Sequence, residues 1–271
     1  MLIGGLHSGR IPLSDLRLDL TSDNFAADAL GRLREYGMFY CRGWLEEPVL
    51  ESVRQEFELA FSEVREKDPA GLTDEGKVPV SRYGKTRTGA QLRFGNDAEF
   101  ANRLPASHEV FGQDWMADLA GSYLGIPCTL NRHIVLTDDF DPDQEIISHH
   151  FDEMNALKFY VPLDDIDREN GPFQAIPGTT EPTSRLRVAE WLRHEKFDDV
   201  RQRVFEQHSE EVIHALYGQF KATLRSRELT FQVPAGSLLV FDTDTIHRAG
   251  LLSPGRRRRI IRASSYRGIW P

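Results

Sequence analysis

Apolar residues recur at helical spacing in the first part of the chain. Between residues 22 and 36 they lie three or four positions apart, with capping residues before them and Gly37 after them, so a helix is predicted there. The run 38–41 follows this glycine and is mostly apolar, which indicates a short strand. The stripe of the predicted helix consists of Phe25, Ala26, Ala29, Leu30 and Leu33.

Two further helices and a long loop are predicted before residue 127. Pro48 can open a second helix, and a third helix is predicted over 107–124. Residues 68–100 are rich in Gly, Lys, Arg and Thr and show no clear periodicity, so we expect a loop that is either functional or disordered. The stripe of the second helix is expected to be Val49, Val53, Phe57, Ala60 and Val64.

From residue 127 onward the pattern changes to short β-type runs separated by Gly, Pro and Asp, which is typical of an antiparallel sandwich or barrel. The stretch at about 181–228 returns to helical spacing and is interpreted as a helical insert between strands. We expect a single domain over 1–271, with a helical N-terminal part (1–126) and a β-rich core (127–268). The predicted strands are 130–137, 157–163, 229–233, 237–241 and 260–266.

Composition narrows the class of partner. The chain has 271 residues, of which 40% are hydrophobic, and this is enough for a sizeable core. Its formal net charge of -9 argues against a general affinity for nucleic acid or for anionic membranes, which favour a surplus of Lys and Arg. The expected partner is a small molecule, and the sequence does not indicate an oligomeric state.

Cysteine usage and the N-terminus indicate a compartment. Cys41 and Cys128 both lie in apolar stretches and are expected to be reduced core residues. The N-terminus lacks the basic start and the unbroken apolar core of a signal peptide, and no run approaches the roughly 20 apolar residues of a membrane span. We therefore expect a soluble, cytoplasmic protein.

A histidine and a carboxylate two positions apart, followed by a distant histidine, are the main candidates for chemistry. In an extended segment alternate side chains point the same way, so His150 and Asp152 can reach one ion. His247 follows the apolar run 237–241 and the polar turn 242–245, where a neighbouring strand end can bring a second imidazole to the metal. Two imidazoles and one carboxylate are the ligand set of mononuclear non-haem iron(II) sites. Alone, such a pair fits a polar strand or a surface loop without a metal better than a metal site.

Three segments resemble a known family. They read ISHHFDEMNALKFYVPLDDIDRENGPFQAIPGT at 147–179, PAGSLLVFDTDTIHRAG at 234–250 and RRRRIIRASSY at 256–266. Together they resemble the phytanoyl-CoA dioxygenase family of Fe(II)/2-oxoglutarate oxygenases, over residues 127–268. The resemblance implies a mostly β fold with α decoration: a double-stranded β-helix of the jelly-roll, cupin-like type with N-terminal helices and a helical insert.

The same resemblance implies the cofactors and the catalytic residues. The cofactors would be Fe(II), the cosubstrate 2-oxoglutarate and O2. His150, Asp152 and His247 would be the iron ligands. Family members that halogenate replace the carboxylate with a small residue, whereas Asp152 is intact here, so hydroxylation is the expected outcome.

The arginine run at 256–259 contains the candidate for binding the cosubstrate. The family places an arginine about eleven positions after the distal histidine, which selects Arg258. A guanidinium can neutralise the far carboxylate of 2-oxoglutarate with two parallel charge-assisted hydrogen bonds. The other three arginines are expected to form a solvated basic loop. Many members also have a serine after that histidine; it is missing here, so Asn131 or His133, or else Thr137, is expected to assist in cosubstrate binding.

Further residues have candidate roles towards the cosubstrate or the substrate. Lys158 and Tyr160 follow the carboxylate ligand at even offsets and would face the metal if the strand ran unbroken, whereas a loop at 153–155 would destroy that parity. Arginines of the 68–100 loop, including Arg93, are candidates for the substrate mouth, and a solvated loop is an equally good interpretation.

These observations predict an oxygenase that hydroxylates an unactivated C–H bond of a small metabolite or natural-product intermediate, with release of succinate and CO2. The same chemistry also permits desaturation, epimerisation or ring formation. Two alternatives belong to other classes. One is a zinc-dependent hydrolase that uses the same three ligands to activate water. The other is a non-catalytic, cupin-like binding protein, because a fold does not fix a function.

Overall fold

The computed structural model describes residues 11–67, 81–86, 88–94, 97–130, 134–141, 145–152, 155–184 and 226–266. The helices are α1 (Phe25–Tyr36), α2 (Glu47–Lys67), α3 (Asp97–Arg103), α4 (Pro105–Phe111) and α5 (Asp114–Leu124). The strands are β1 (Met38–Cys41), β2 (Ser81–Lys85), β3 (Gly89–Phe94), β4 (Ile134–Asp139), β5 (Glu145–His150), β6 (Ala156–Pro162), β7 (Phe173–Ile176), β8 (Leu229–Phe231), β9 (Leu238–Asp242), β10 (Ile246–Leu251) and β11 (Arg258–Tyr266).

The strands form two antiparallel sheets. The larger sheet has the order β1-β9-β6-β11-β4-β3-β2, and the smaller has the order β5-β10-β7-β8. Successive strands alternate between the sheets: β4 lies in the larger, β5 in the smaller and β6 again in the larger. Such repeated crossing between two antiparallel sheets is the arrangement of a jelly roll. The structure therefore confirms the predicted double-stranded β-helix with helical decoration.

The two faces of the larger sheet bury different partners because side chains alternate along each strand. On β6, Phe159 and Val161 belong to a core shared with helices α1, α2 and α5. Tyr160, between them, belongs to a second core that includes Phe173 of the smaller sheet. The inner face of the larger sheet, to which Tyr160 belongs, therefore faces the smaller sheet, and this is where a ligand cavity can form.

The helical predictions hold for α1 and need correction farther along. Helix α1 ends at Gly37, whose positive φ of 76° suits a residue without a Cβ. In α2, Val49 is 41% exposed, whereas Leu50 and Phe61 are buried in its place. The predicted helix over 107–124 is instead two helices: α4 ends at Phe111, followed by Gly112, and α5 begins at Asp114.

Part of the expected 68–100 loop is a β-hairpin. Strands β2 and β3 pair in register, and β3 pairs with β4, so the hairpin extends the larger sheet. Gly89 begins β3 so close to its neighbour that a Cβ there would lie 1.9 Å from the carbonyl oxygen of Asp138. A glycine is needed at this point for the hairpin to join the sheet. Residues 68–80 lie outside the described ones.

Other expectations concern the insert, the membrane and the cysteines. Residues 180–184 are helical, but most of the predicted insert, 185–225, lies outside the described residues. Across the ranges that the structure describes, no helix has the length and apolar character needed to cross a bilayer. Cys41 is buried and Cys128 is half-buried, and both are free thiols, as predicted.

Candidate metal centre and adjoining cavity

The three residues predicted to bind a metal lie together at neighbouring strand ends of the smaller sheet. His150 is the last residue of β5, and His247 lies opposite it on β10. Residues directly opposite each other in an antiparallel pair project from the same face, and the two imidazole centroids are 4.3 Å apart. Asp152 follows the end of β5, where its backbone N–H donates to the carbonyl of Thr243 over 3.0 Å. A loop contact therefore positions the carboxylate.

The ligand atoms of this group converge. One ligand atom from each of His150, Asp152 and His247 lies within 4.8 Å of the other two. Oδ1 of Asp152 is 3.5 Å from Nε2 of His150 and 3.8 Å from Nε2 of His247. Two imidazole nitrogens and one carboxylate oxygen on one side of a point suit a divalent transition metal with open positions on its other side.

The environment of His247 presents a neutral imidazole with a defined tautomer. Its Nδ1 is 2.7 Å from the carbonyl oxygen of Thr245, and because a carbonyl can only accept, Nδ1 carries the proton. Nε2 is then left free as a ligand atom. Burial, together with the neighbouring His150 and Lys158, lowers the pKa of His247 to about 3. The ring packs against both Phe173 and Phe241, which fixes its orientation.

Asp152 is held by a lysine on the side opposite the histidines. Burial opposes its ionisation, but Lys158, His247 and His150 outweigh that effect and hold the pKa of Asp152 below its ordinary value. Lys158 donates a hydrogen bond from Nζ to Oδ2, so Oδ1 is the oxygen that remains towards the imidazoles. Lys158 therefore faces the metal ligands, but not through an unbroken strand: β5 ends at His150 and β6 begins at Ala156 in the other sheet, so the even offset is not the reason.

A layer of hydrogen bonds behind the ligands holds the two loops together. Asn155 donates from Nδ2 to Oδ1 of Asp242 over 2.9 Å and to Oδ2 of Asp244 over 3.1 Å. The hydroxyl of Tyr123, on α5, donates to Oδ2 of Asp242 over 2.6 Å. Thr243 accepts at Oγ1 from the backbone N–H of residue 156 over 2.8 Å. The polar turn before β10 therefore serves to fix the segment that carries the carboxylate ligand.

A cavity of about 500 Å³ opens between the sheets beside His150 and His247. Its lining is polar and mostly basic on the larger sheet and partly aromatic on the smaller one. A volume of this size accommodates a cosubstrate and a small substrate. The residues that line it include Thr86, Gln91, Arg93, Thr137, Asp139, Lys158, Tyr160, Arg258 and Arg262.

Arg258 lies in this cavity, buried and paired. Its Nε and Nη2 donate to Oδ2 of Asp139 over 3.0 and 2.7 Å, and Nη1 donates to the carbonyl of Gly171 over 2.6 Å. Asp139 is fully buried and also accepts at Oδ1 from the hydroxyl of Thr88 over 2.7 Å. Although burial lowers the pKa of Arg258, Tyr160 and Asp139 outweigh it and the net shift is upward, so the guanidinium is charged.

The other three arginines of the run do not form a solvated loop, and that expectation was wrong. Arg257 makes hydrogen bonds to Asp138 and Glu58, and Arg259 makes them to Asp164 and Glu58. Arg256 pairs with an aspartate on the loop before β7. These acids are distant in sequence, so the run joins β11 to α2, β4 and the 163–170 loop.

Two residues of the cavity were not predicted from the sequence. Asp139, at the end of β4, neutralises the candidate cosubstrate arginine. Arg262 lies four positions after Arg258 on β11 and lines the same cavity. The even spacing along one strand was the available signal, because residues two and four apart share a face.

Of the three further residues predicted to assist in cosubstrate binding, the structure describes only Thr137. Asn131 and His133 lie outside the described residues. Thr137, on β4, is 8% exposed and lines the cavity, and its Oγ1 has no hydrogen-bond partner among the described residues. A buried hydroxyl without a partner is costly unless a ligand satisfies it. Thr137 therefore fits the role of the missing hydroxyl.

Several solved structures share this fold. AviO1 from Streptomyces viridochromogenes Tue57 superposes with a TM-score of 0.55 at 18% identity, over 93% of this chain and 99% of that one. EctD from S. alaskensis, solved with 2-oxoglutarate and 5-hydroxyectoine, gives a TM-score of 0.56 at 14% identity, over 95% of this chain and 81% of that one. SnoN, a non-heme alpha ketoglutarate dependent epimerase from nogalamycin biosynthesis, gives 0.53 at 17% identity, over 90% and 86%. At these identities the likeness shows the fold.

Sequence comparison identifies the family. No curated protein sequence matches the chain. The family model for phytanoyl-CoA dioxygenase matches residues 33–260, which include both candidate histidine ligands, the aspartate between them and Arg258. The match covers most of the chain and agrees with the resemblance seen in the sequence and with the jelly-roll fold. The chain therefore belongs to the phytanoyl-CoA dioxygenase family.

Proposed function

We propose that this protein is an iron(II)- and 2-oxoglutarate-dependent oxygenase. The observation that carries the proposal is the convergence of one ligand atom each from His150, Asp152 and His247 within 4.8 Å, beside a cavity, in a chain of this family. The similar folds of EctD, solved with 2-oxoglutarate, and of SnoN, described as alpha ketoglutarate dependent, support it.

The donor set fits iron(II). It is a mixed nitrogen and oxygen set without a thiolate, and three ligands on one face leave positions for a chelating cosubstrate and for dioxygen. The carbonyl of Thr245 fixes the tautomer of His247, and Lys158 holds the second oxygen of Asp152. When bound, iron with 2-oxoglutarate and O2 supplies the oxidising power to break a C–H bond, with release of succinate and CO2. The protein's own part is to hold these ligands in place before the ion arrives.

The cavity fits the far carboxylate of 2-oxoglutarate at Arg258. A guanidinium carries one N–H on Nε and two on each Nη, so the contacts with Asp139 and Gly171 leave one N–H free on each Nη. The Oγ1 of Thr137 offers a further donor, because Thr137 pairs with Ile260 one step along the same inner face. We propose these two residues for the cosubstrate, with Asn131 and His133 as further candidates.

Hydroxylation of a small metabolite or natural-product intermediate is the proposed outcome. The intact Asp152 completes the ligand set, and a cavity of about 500 Å³ suits a small molecule. SnoN, with the same fold, is an epimerase from nogalamycin biosynthesis, which favours secondary metabolism and keeps epimerisation as a second outcome. The substrate enters beside the metal ligands, where the cavity reaches both sheets.

Metal and cosubstrate binding test the proposal directly. Anaerobic calorimetry with Fe(II), followed by 2-oxoglutarate, should show one site for each in the wild type. His247→Ala and Asp152→Ala should lose the iron site. His149→Ala is the matched control, because His149 neighbours the ligand His150 yet pairs with Glu228, and this variant should bind iron normally. Iron binding that survives in both ligand variants would refute the assignment.

A further inference from the structure

The cavity contains more positive charge than its acids can neutralise. Arg258 pairs with Asp139, and Lys158 pairs with Asp152. A further lining residue, Arg248, makes two hydrogen bonds to Glu228 over 2.8 Å each. The lining also contains Arg93 and Arg262, and neither of them forms an ion pair with an acid among the residues that the structure describes. Two guanidinium groups are therefore left without an acidic partner.

These two arginines lie in one row across the larger sheet. Arg262 on β11 and Arg93 on β3 both pair with Val135 on β4, one from each side. Their backbones are therefore two strand spacings apart, about 10 Å, with both side chains on the cavity face. On the other side of Arg262 the row continues with Tyr160 on β6. Two long cationic side chains with this separation can converge on one small anion.

The row is distinct from the place proposed for the cosubstrate. Arg258 pairs with Asp139, two steps along the strands from the pair that Arg262 forms with Val135. Four residues of extended chain separate the two arginines, which is about 13 Å. Burial lowers the pKa of Arg262, and the positive charges of Arg93 and Arg258 act in the same direction. Tyr160 and Asp152 raise this pKa but do not outweigh the lowering, so the net shift is downward. A ligand that carries negative charge would offset the remaining cost of enclosing the guanidinium.

Loading the site with its proposed cofactors leaves this excess unchanged. Iron(II) brings two positive charges and 2-oxoglutarate brings two negative ones, so together they add no net charge. The unmatched charges of Arg93 and Arg262 persist in the loaded enzyme. A neutral substrate would leave the half-buried Arg262 without a counter-charge beside it, which is unfavourable.

We propose that Arg262, with Arg93, binds an oxyanion of the substrate, either a carboxylate or a phosphate, and so selects an acidic substrate. This inference rests on the proposed function, because it assigns the substrate of that same site. Arg262 then acts as a specificity residue: its planar guanidinium can donate two parallel hydrogen bonds to the oxygens of such a group. Tyr160, next in the row, supplies a hydroxyl that can donate to the same group.

Anion binding to the loaded protein tests the inference. The protein is loaded with Ni(II) and 2-oxoglutarate, and inorganic phosphate and acetate are titrated separately by calorimetry. We expect one of them to bind in the wild type, and the tighter of the two identifies a phosphorylated or a carboxylic substrate. Arg262→Gln should weaken that binding about tenfold or more, and Arg93→Gln should weaken it less.

Arg256→Gln is the matched control. It removes the same charge from the start of the arginine run, but Arg256 pairs with Asp167 outside the cavity lining. This variant should bind the anion as the wild type does. Arg262→Lys keeps the charge and should retain part of the binding, which separates loss of the cation from a folding defect.

The outcomes separate this inference from the proposed function. If Ni(II) and 2-oxoglutarate fail to bind in the wild type, the proposed function is wrong, and this inference falls with it. If both bind but neither anion does, or if Arg262→Gln leaves anion binding unchanged, the inference alone is overturned. Loss of 2-oxoglutarate binding in Arg262→Gln would also overturn it, because Arg262 would then serve the cosubstrate.

Discussion

Lys158 donates a hydrogen bond to Oδ2 of Asp152 while Oδ1 of the same carboxylate lies 3.5 Å from Nε2 of His150. The lysine therefore occupies one oxygen of the candidate metal ligand and leaves the other towards the imidazoles. It also neutralises Asp152 when no cation is bound. A divalent ion must share this carboxylate with Lys158.

Removal of Lys158 should make the stability of the folded protein depend more strongly on a bound metal ion. In Lys158→Met the metal-free protein retains Asp152 without its cation, and we expect a loss of about 2 kcal/mol in the free energy of unfolding, a value reduced for partial exposure. A divalent ion replaces the missing charge, so Ni(II) should raise the melting temperature more in this variant than in the wild type. Lys158→Arg keeps the charge and should behave as the wild type. An equal or smaller rise in Lys158→Met would contradict this interpretation.

The ion pair between Arg258 and Asp139 allows the structural role of Arg258 to be separated from its proposed role in binding 2-oxoglutarate. Arg258→Gln leaves a fully buried carboxylate without its partner, and we expect a loss of about 3–5 kcal/mol in the free energy of unfolding. The double variant Asp139→Asn, Arg258→Gln removes both charges and should recover much of this loss in urea unfolding. It should not recover 2-oxoglutarate binding, because the guanidinium is still missing. Restored binding in the double variant would show that Arg258 has a structural role alone.

Glu58 should contribute to stability above acidic pH. Burial acts against its ionisation, but Arg257 and Arg259 outweigh it and lower the pKa of Glu58 from its ordinary 4.5. The lowered pKa means that the stabilisation is present above about 4.5 and is lost as the pH falls through the lower, folded-state value. The contribution is about 1 kcal/mol or less, because the carboxylate is partly exposed.

The prediction can be checked from urea midpoints of the wild type and Glu58→Gln. The variant should be less stable at pH 7, and the gap should close as the pH falls below about 4.5. Glu51→Gln, on the same helix, removes an exposed partner of Arg54 and should show a smaller gap at pH 7. A gap for Glu58→Gln that does not change with pH would be inconsistent with the proposed ion pairs.

Gly89 should be intolerant of any side chain. A Cβ there would lie 1.9 Å from the backbone carbonyl of Asp138, so Gly89→Ala must displace β3 from β4, at a cost of about 1–3 kcal/mol. Gly31, on α1, has no atom within 4 Å of the same position. Gly31→Ala should therefore be neutral or stabilising by up to about 1 kcal/mol, through helix propensity. Equal melting temperatures for the two variants would contradict the close approach at Gly89.

The predictable part of the site depends on local patterns. The spacing of His150 and Asp152, and a turn followed by His247, are visible in the sequence, and antiparallel pairing needs only to bring two strand ends together. The hairpin was missed although Ala90, Leu92 and Phe94 alternate with polar residues. Its other face is polar because it lines the cavity, and the run lies next to a stretch without periodicity.

The ion pairs of the arginine run could not be predicted from local sequence patterns. Arg257 and Arg259 meet Glu58 across about 200 positions of sequence, and this contact exists only after α2 has packed near β11. Asp139 pairs with Arg258 because β4 and β11 are neighbours in one register. Such pairs depend on tertiary structure, and single-sequence reasoning therefore interpreted the arginine run as solvated.

Succinate formation, measured against oxygen consumption in the iron-loaded protein, distinguishes an iron(II)/2-oxoglutarate oxygenase from a zinc hydrolase and from a non-catalytic binding protein. With 2-oxoglutarate and air, the wild type should form one succinate for each O2 consumed, and the His247→Ala variant should form none. The reaction should stop without oxygen, and zinc should not support it. Succinate formation that persists in His247→Ala, or a hydrolytic activity with zinc that needs neither oxygen nor 2-oxoglutarate, would contradict the account.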